Sequence, residues 1–87
     1  MLFIVIERFK SDDTRAFSER YRRSGRMLPE GVTYDASWMD LTRARCFELM
    51  EAPDRELLHL WASRWDDLIE FEIVPVQAID DFWSMVL

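Results

Sequence analysis

The distribution of hydrophobic and polar residues predicts four β-strands. They are Leu2–Phe9, Val32–Met39, Ala44–Glu51 and Phe71–Val76. The first strand is apolar on both faces up to Ile6, which is typical of a central strand that is covered on both sides. Pro75 favours an edge position for the last strand, because proline cannot donate a ladder hydrogen bond.

The alternation of apolar and polar residues predicts which side chains share a face in the second and third strands. The second strand has Val32, Tyr34, Ala36 and Trp38 on one side, and Thr33, Asp35 and Ser37 on the other. This pattern indicates an edge strand whose Tyr34 and Trp38 share a face, about 13 Å apart at the usual strand rise. After a polar turn at Asp40–Arg43, the third strand has Phe47 and Leu49 on one face and Cys46, Glu48 and Met50 on the other.

Two helices and a helical tail are predicted between and after the strands. Asp12 or Asp13 supplies the N-cap of the first helix, Phe17 and Tyr21 give it a narrow apolar stripe, and Gly25 ends it. The second helix begins at Pro53 and Asp54. Its apolar stripe comprises Leu57, Leu58, Trp61, Trp65, Leu68 and Ile69. The tail, residues 77–87, carries Ile79, Phe82, Trp83 and Val86 at helical spacing.

The element order predicts a single α+β domain over residues 1–87 with the ferredoxin-like βαββαβ plan. In that plan a four-stranded antiparallel sheet carries both helices on one face, and here a short C-terminal helix follows. Because the first strand is apolar on both faces, we expect the open face of the sheet to meet a second copy of the chain. We also expect the apolar side of the tail helix to cover another surface.

Length and charge narrow the choice of partners. A chain of 87 residues has a marginal core of its own, so a partner subunit is expected to help. Residues 1–45 carry nine basic against seven acidic side chains, and residues 46–87 carry two against ten, so opposite charges can attract within a monomer or across a two-fold axis. The net charge of −6 argues against nucleic acid. The basic run of the first helix fits a solvated face, with a phosphate or nucleotide site as the alternative.

The single cysteine and the short apolar run at the N-terminus limit the kinds of site and the cellular location that we expect. Cys46 alone forms no intramolecular disulfide or metal cluster, and no metal or cofactor is expected. The run Met1–Ile6 lacks the length and the flanks of a signal peptide, and no stretch is long enough to cross a membrane. We therefore expect a cytoplasmic protein with no membrane partner.

Several segments together resemble a known family. They are Leu2–Phe9, Gly25–Gly31, Tyr34 with Ser37 and Trp38, Leu49–Glu51, Trp61 with Trp65, and Phe71–Glu72 with Val74–Val76. In these segments the chain is similar to a bacterial family of small proteins that is labelled as a domain of unknown function. The resemblance implies the dimeric α/β-barrel superfamily, in which two ferredoxin-like sheets face each other. That superfamily includes cofactor-free monooxygenases, haem-degrading enzymes, muconolactone isomerases and stress-related proteins, so the fold alone does not define the function.

The predicted topology forms two polar clusters, one at each end of the sheet. One end brings Glu7 and Arg8 towards Cys46, Trp38, Glu70 and Glu72, and the other end has Arg26, Tyr34 and Glu51. Each cluster fits either an ion pair or a ligand site. In a ligand site, Arg26 or Arg8 would pair with a carboxylate, carbonyl or enolate, because its planar fork stays charged. Tyr34 and Trp38 would supply an aromatic wall, with Tyr34 beside Arg26 and Trp38 beside Arg8.

His59 and Cys46 are the remaining candidates for chemistry. His59, the only histidine, is expected on the polar side of the second helix, with a general base or an axial haem ligand as alternatives. Cys46 fits a packed strand residue better than a nucleophile, since no histidine is predicted beside it. Trp61 and Trp65 are expected in the core, and Trp83 is expected to contact the sheet or a partner.

Three functions follow from these observations. The first is a homodimer that binds a small apolar or aromatic molecule. The second is a cofactor-independent monooxygenase or isomerase acting on such a molecule. The third is an interaction or stress-related module without a ligand. A hollow between helices and sheet beside Arg26 and Tyr34 would favour the first two, and a filled core would favour the third.

Overall fold

A computed structural model describes all residues, 1–87, as four strands and three helices. The elements are β1 (Leu2–Phe9), α1 (Arg15–Ser24), β2 (Thr33–Met39), β3 (Cys46–Glu51), α2 (Arg55–Ser63), β4 (Ile69–Val76) and α3 (Ile79–Val86). The predicted α+β class and order of elements are confirmed. No helix combines the length and the apolar character that a membrane span requires.

The strands form one open antiparallel sheet in the order β2-β3-β1-β4. The central position of β1 and the edge positions of β2 and β4 agree with the sequence pattern. Pro75 lies in edge strand β4 opposite Phe3. The sheet therefore accommodates this proline without breaking a ladder between two central strands.

One face of the sheet is covered by the helices and forms the core. Phe3 and Val5 from β1, Met50 from β3, and Leu58 and Trp61 from α2 are all buried there. Asp54 caps α2, because its carboxylate accepts the Leu57 backbone N–H at 3.0 Å. This cap and the apolar stripe hold α2 flat against the helix-covered face.

The opposite face of the sheet has no covering element within the chain. Register places Ile4 opposite Leu49 and Val74, and Ile6 opposite Phe47, so these apolar side chains share that open face. They are only partly buried. The face therefore carries an apolar patch that a single chain leaves in contact with solvent.

A β-bulge in β2 corrects the predicted faces of that strand. The register shifts between Tyr34 and Ala36, so Asp35 is an extra residue. Tyr34 lies opposite Met50 on the helix-covered face, whereas Trp38 lies opposite Phe47 on the open face. The expectation that Tyr34 and Trp38 share a face is wrong for this reason.

Three predicted boundaries also need correction. The N-cap residue of helix α1 is Thr14, and its side chain makes no capping hydrogen bond. The Asp13 carboxylate instead accepts hydrogen bonds from the backbone N–H and the guanidinium of Arg15. Helix α2 ends at Ser63 and turns follow, so Trp65 and Leu68 are not helical. Ile69 begins β4 rather than continuing the helix. Because Ile69 is a hydrophobic residue of the core, the sequence pattern did not distinguish it from a core residue of the helix.

Helix α3 has no buried residue, and none of its side chains belongs to the hydrophobic core or packs against it. Its exposed apolar side chains include Ile79, Phe82, Trp83 and Val86, of which Trp83 is 47% exposed. Met85 Sδ accepts a hydrogen bond from Gln77 Nε2, and the Phe82 and Trp83 rings contact each other within the helix. The helix was predicted correctly, and its apolar side chains are exposed in the single chain.

Candidate functional site

A cavity of about 260 Å³ lies between the helices and the sheet. Its walls are mostly apolar and aromatic. The lining residues are Glu7, Phe9, Phe17, Tyr21, Arg26, Met39, Cys46, Glu48, Trp61, Trp65 and Ile69. Three of these residues carry charge, and they come from β1, from β3 and from the loop after α1. An apolar hollow with a few convergent polar groups is the usual form of a small-molecule site.

Helix α1 forms one wall of the cavity through aromatic contacts. The Phe17 ring lies 5.1 Å from Trp65 and 5.2 Å from Phe9, measured between centroids, and it stacks on Tyr21 at 6.0 Å. No residue of α1 is fully buried. The wall is therefore held by a small number of side chains.

The backbone of Arg26 is fixed by two indole groups. Trp61 Nε1 and Trp65 Nε1 donate hydrogen bonds to the Arg26 carbonyl oxygen at 2.8 and 3.0 Å. The neighbours Gly25 and Met27 both have positive φ, 62° and 58°. The chain thus turns sharply on either side of Arg26, and both indole donors of the core are used to hold it.

The Arg26 side chain lies between two tyrosines. Its guanidinium carbon is 3.7 Å from the Tyr34 ring centroid and 5.6 Å from that of Tyr21. Cation–π contacts of this kind favour a defined guanidinium position. The structure therefore places Arg26 beside Tyr34, as the sequence suggested, and at the cavity.

Glu7 and Glu48 face this cavity as a close carboxyl pair. One carboxylate oxygen of each residue and the Cys46 sulfur lie within 4.8 Å of one another. Burial first, and then the negative charge of Glu48 and a hydrogen bond to it, raise the pKa of Glu7 to about 8, against a smaller opposing effect of Arg26. Burial also raises the pKa of Glu48, although its bond to Glu7 and the charge of Arg26 lower it. Both carboxyl groups are therefore harder to ionise than an ordinary glutamate.

One carboxyl oxygen of Glu48 is buried without a hydrogen-bond partner. Glu48 is only 8% exposed, and the unpaired atom is its Oε2. Buried polar atoms of proteins normally have a partner, so an unpaired carboxyl oxygen on a cavity wall is a position that a ligand could occupy.

Cys46 completes the polar side of the cavity without being a nucleophile. Burial, and then the charges of Glu7 and Glu48, raise the pKa of its thiol to about 11. The thiol therefore stays protonated, and it has little nucleophilic character. Glu7, Cys46 and Glu48 form a three-donor set that could hold a divalent cation, but the positive charge of Arg26 opposes one there.

The other predicted site residues lie away from the cavity. Arg8 projects from the open face, opposite Glu70, and lines a separate polar groove at the end of the sheet. Trp38 is 56% exposed on the open face. Glu51 lies at the opposite end of β3, opposite Leu2, and His59 is exposed on α2.

The two predicted clusters are therefore rearranged. Arg26 joins Glu7 rather than Glu51, because the loop after α1 folds back over the sheet towards the tryptophans of α2 and its C-terminal turn. Glu7 and Arg8 separate, since neighbouring strand residues point to opposite faces. Glu48 was missed as a site residue. Its shared face with Cys46 and Met50 was visible in the sequence and would have placed it inside.

Comparison with known proteins gives a family but no characterised relative. The model of a family described as a domain of unknown function, DUF3303, matches residues 1–87. No curated protein matches the chain, and no solved structure does. Because the match extends over the full length, the chain belongs to the DUF3303 family.

Proposed function

We propose that this protein binds a small, neutral, aromatic or alicyclic molecule that carries a polar oxygen. The observation that supports the proposal is the hollow between helices and sheet, where Arg26 and an unpaired oxygen of Glu48 meet apolar walls. A filled core would have favoured an interaction or stress-related module instead.

The size of the cavity limits the ligand. An apolar cavity of about 150 Å³ is sufficient for benzene. The cavity of about 260 Å³ beside Arg26 can therefore take a molecule of one or two rings. Phe17, Trp61 and Trp65 supply flat surfaces against which such rings can pack.

The charges of the cavity favour a neutral ligand. Arg26 brings a positive charge to the cavity wall, and Glu7 and Glu48 bring the opposing acidic groups. A ligand with its own net charge would leave one charge unbalanced in an apolar site. A hydroxyl or carbonyl oxygen can instead bind to the guanidinium or to the carboxyl pair.

We further propose that the working form is a homodimer of the dimeric α/β-barrel type in the cytoplasm. The order of elements and the sheet order β2-β3-β1-β4 are those of the ferredoxin-like plan. The apolar open face around Ile4, Leu49 and Phe47 is the surface that a second sheet would cover. Catalysis as a cofactor-independent monooxygenase or isomerase is the alternative to simple binding.

Binding is tested directly with 2-naphthol, a two-ring molecule with one hydroxyl. The indole N–H signals of Trp61 and Trp65 report on the cavity, because both groups bond to the Arg26 carbonyl. We expect both signals to shift in ¹H–¹⁵N NMR spectra and to saturate as 2-naphthol is added.

A matched pair of variants assigns the site. Arg26→Ala should weaken 2-naphthol binding about tenfold, since it removes a charged hydrogen-bond donor. Arg23→Ala, on the exposed end of α1, should leave it unchanged. Indole signals that stay in place up to millimolar 2-naphthol would overturn the proposal.

A further inference from the structure

We propose that Glu7 and Glu48 are a proton-transfer pair that enolises a ketone bound in the cavity, with Arg26 holding the enolate oxygen. The inference rests on the proposed function, because it takes the ligand-binding cavity as the place where the ketone lies. It adds a reaction class and a role for each of the three charged residues.

The geometry gives both carboxyl groups access to one bound molecule. In the ladder between β1 and β3, Glu7 is paired with Cys46 and Glu48 with Val5, so the two acids are diagonal neighbours on the helix-covered face. Both line the cavity together with Arg26. The unpaired Oε2 of Glu48 can accept a proton without first losing a hydrogen bond within the protein.

The two carboxyl groups differ in how they hold their shared proton. The hydrogen bond between them raises the pKa of Glu7 and lowers that of Glu48. In the proposed reaction Glu7 is the proton donor, and Glu48, whose Oε2 has no hydrogen-bond partner, is the base. An acid and a base that lie side by side with separated pKa values are the arrangement that general acid–base catalysis requires.

The reaction balances without a cofactor. Glu48 removes a proton from the carbon next to the carbonyl, the C–H electron pair forms a C=C bond, and the carbonyl π pair moves to oxygen. The Arg26 guanidinium stabilises the resulting enolate. Glu7 then donates its proton to the enolate oxygen. Transfer of the proton from Glu48 to Glu7 restores the starting state of the pair.

Few other ionisable groups face the pair. Cys46 comes from β3, and its thiol stays protonated, while Arg26 comes from the loop after α1. Tyr21 of α1 also lines the cavity. Met39 lines the cavity from β2, Trp61 and Trp65 line it from α2 and its C-terminal turn, and Ile69 lines it from β4. None of these side chains titrates.

Deuterium exchange into 2-tetralone, a two-ring ketone, tests the inference. The intact protein is incubated with 2-tetralone in D₂O, and ¹H NMR follows loss of the C1 proton signal. Binding is measured in the same samples from the Trp61 and Trp65 indole signals. We expect the E7Q/E48Q variant to bind 2-tetralone with similar affinity and to lose about a hundredfold or more of the exchange rate.

A control variant and the pH profile separate catalysis from a structural effect. Glu19→Gln makes the same change at an exposed residue of α1 and should exchange at the wild-type rate. The wild-type rate should fall at low pH, where Glu48 is protonated, and again above the pKa of Glu7 of about 8. The double variant should show neither fall.

The outcomes distinguish this inference from the proposed function. Binding of 2-tetralone with equal exchange by the wild type and E7Q/E48Q would overturn proton transfer and leave ligand binding intact. Binding with an exchange rate that only rises with pH would also overturn it, because hydroxide would then be the base. Absence of any indole shift with 2-tetralone and with 2-naphthol would overturn both.

Discussion

Glu7 and Glu48 are diagonal neighbours on adjacent strands, and both carboxyl groups face the same apolar cavity. Two acids in such a place cannot both ionise without a large desolvation and repulsion energy. The pair therefore links the cavity to the pH dependence of folding.

The raised pKa values predict that the protein loses stability as the pH rises. Glu7 has a pKa of about 8 in the folded state, against 4.5 for an ordinary glutamate. The folded state thus binds more protons than the unfolded state between these values, and the free energy of unfolding falls with increasing pH across that window. The loss should be on the order of 3 kcal/mol.

Urea denaturation at pH 5 and pH 8.5 measures this loss. We expect the E7Q/E48Q variant to lose most of this difference in the free energy of unfolding, because its amide side chains do not titrate. Glu19→Gln is the control, since Glu19 is exposed on α1. An equal pH dependence in the wild type and the double variant would contradict the assignment.

Gly25 is predicted to be essential for the position of Arg26. Its φ of 62° and ψ of −152° lie in a region that only glycine adopts readily. A Cβ at this position would meet nothing within 4 Å, so steric contact with the rest of the protein plays no part. Gly25→Ala should therefore destabilise the fold by about 1–3 kcal/mol through backbone strain alone.

The same variant should also weaken 2-naphthol binding, because the strained turn precedes Arg26 directly. Ser24→Ala, at the end of α1, is the matched control and should change neither property by much. Urea denaturation and NMR titration provide the two measurements. A Gly25→Ala protein as stable as the control would show that the turn is not strained.

The local hydrophobic pattern predicted most of the fold but not the bulge in β2. Periodicity identified β1, the faces of β3 and the amphipathic face of α2, because each follows from side-chain spacing within one element. The bulge at Asp35 depends on how β2 pairs with β3, and no glycine or proline marks it. The sheet face predicted for Trp38 was therefore wrong.

The candidate site was predicted only in part, because it depends on the path of a loop. Glu7, Arg26 and Tyr34 were identified as site residues by their chemistry. The grouping of Arg26 with Glu51 was wrong, since the loop after α1 is positioned by the indoles of Trp61 and Trp65. Those bonds join residues 35 and 39 positions apart, which no local pattern can indicate.

The open face of the sheet should mediate dimer formation. Trp38 is 56% exposed there, so Trp38→Lys should leave the monomer folded while it places a charge in the dimer interface. Gel filtration at two protein concentrations should show a dimer for the wild type and a monomer for the variant. Leu41→Lys is the control, because Leu41 is 99% exposed in the turn before β3. A wild-type monomer at micromolar concentration would contradict the prediction.

Helix α3 should contribute to association rather than to the stability of the single chain. None of its residues is buried or packs against the core, and the Phe82 and Trp83 rings contact each other with centroids 5.1 Å apart. Removal of residues 79–87 should therefore change the free energy of unfolding of the Trp38→Lys monomer by less than about 1 kcal/mol, because little buried surface is lost.

The same truncation in the wild-type background should weaken the dimer. Apolar side chains that a monomer leaves in water gain free energy when a partner covers them, and α3 presents several along one helix. Sedimentation equilibrium measures the dissociation constant, which we expect to rise at least about tenfold. Unfolding of the truncated monomer would show instead that α3 packs on its own domain, and an unchanged dissociation constant would show that it lies outside the dimer interface.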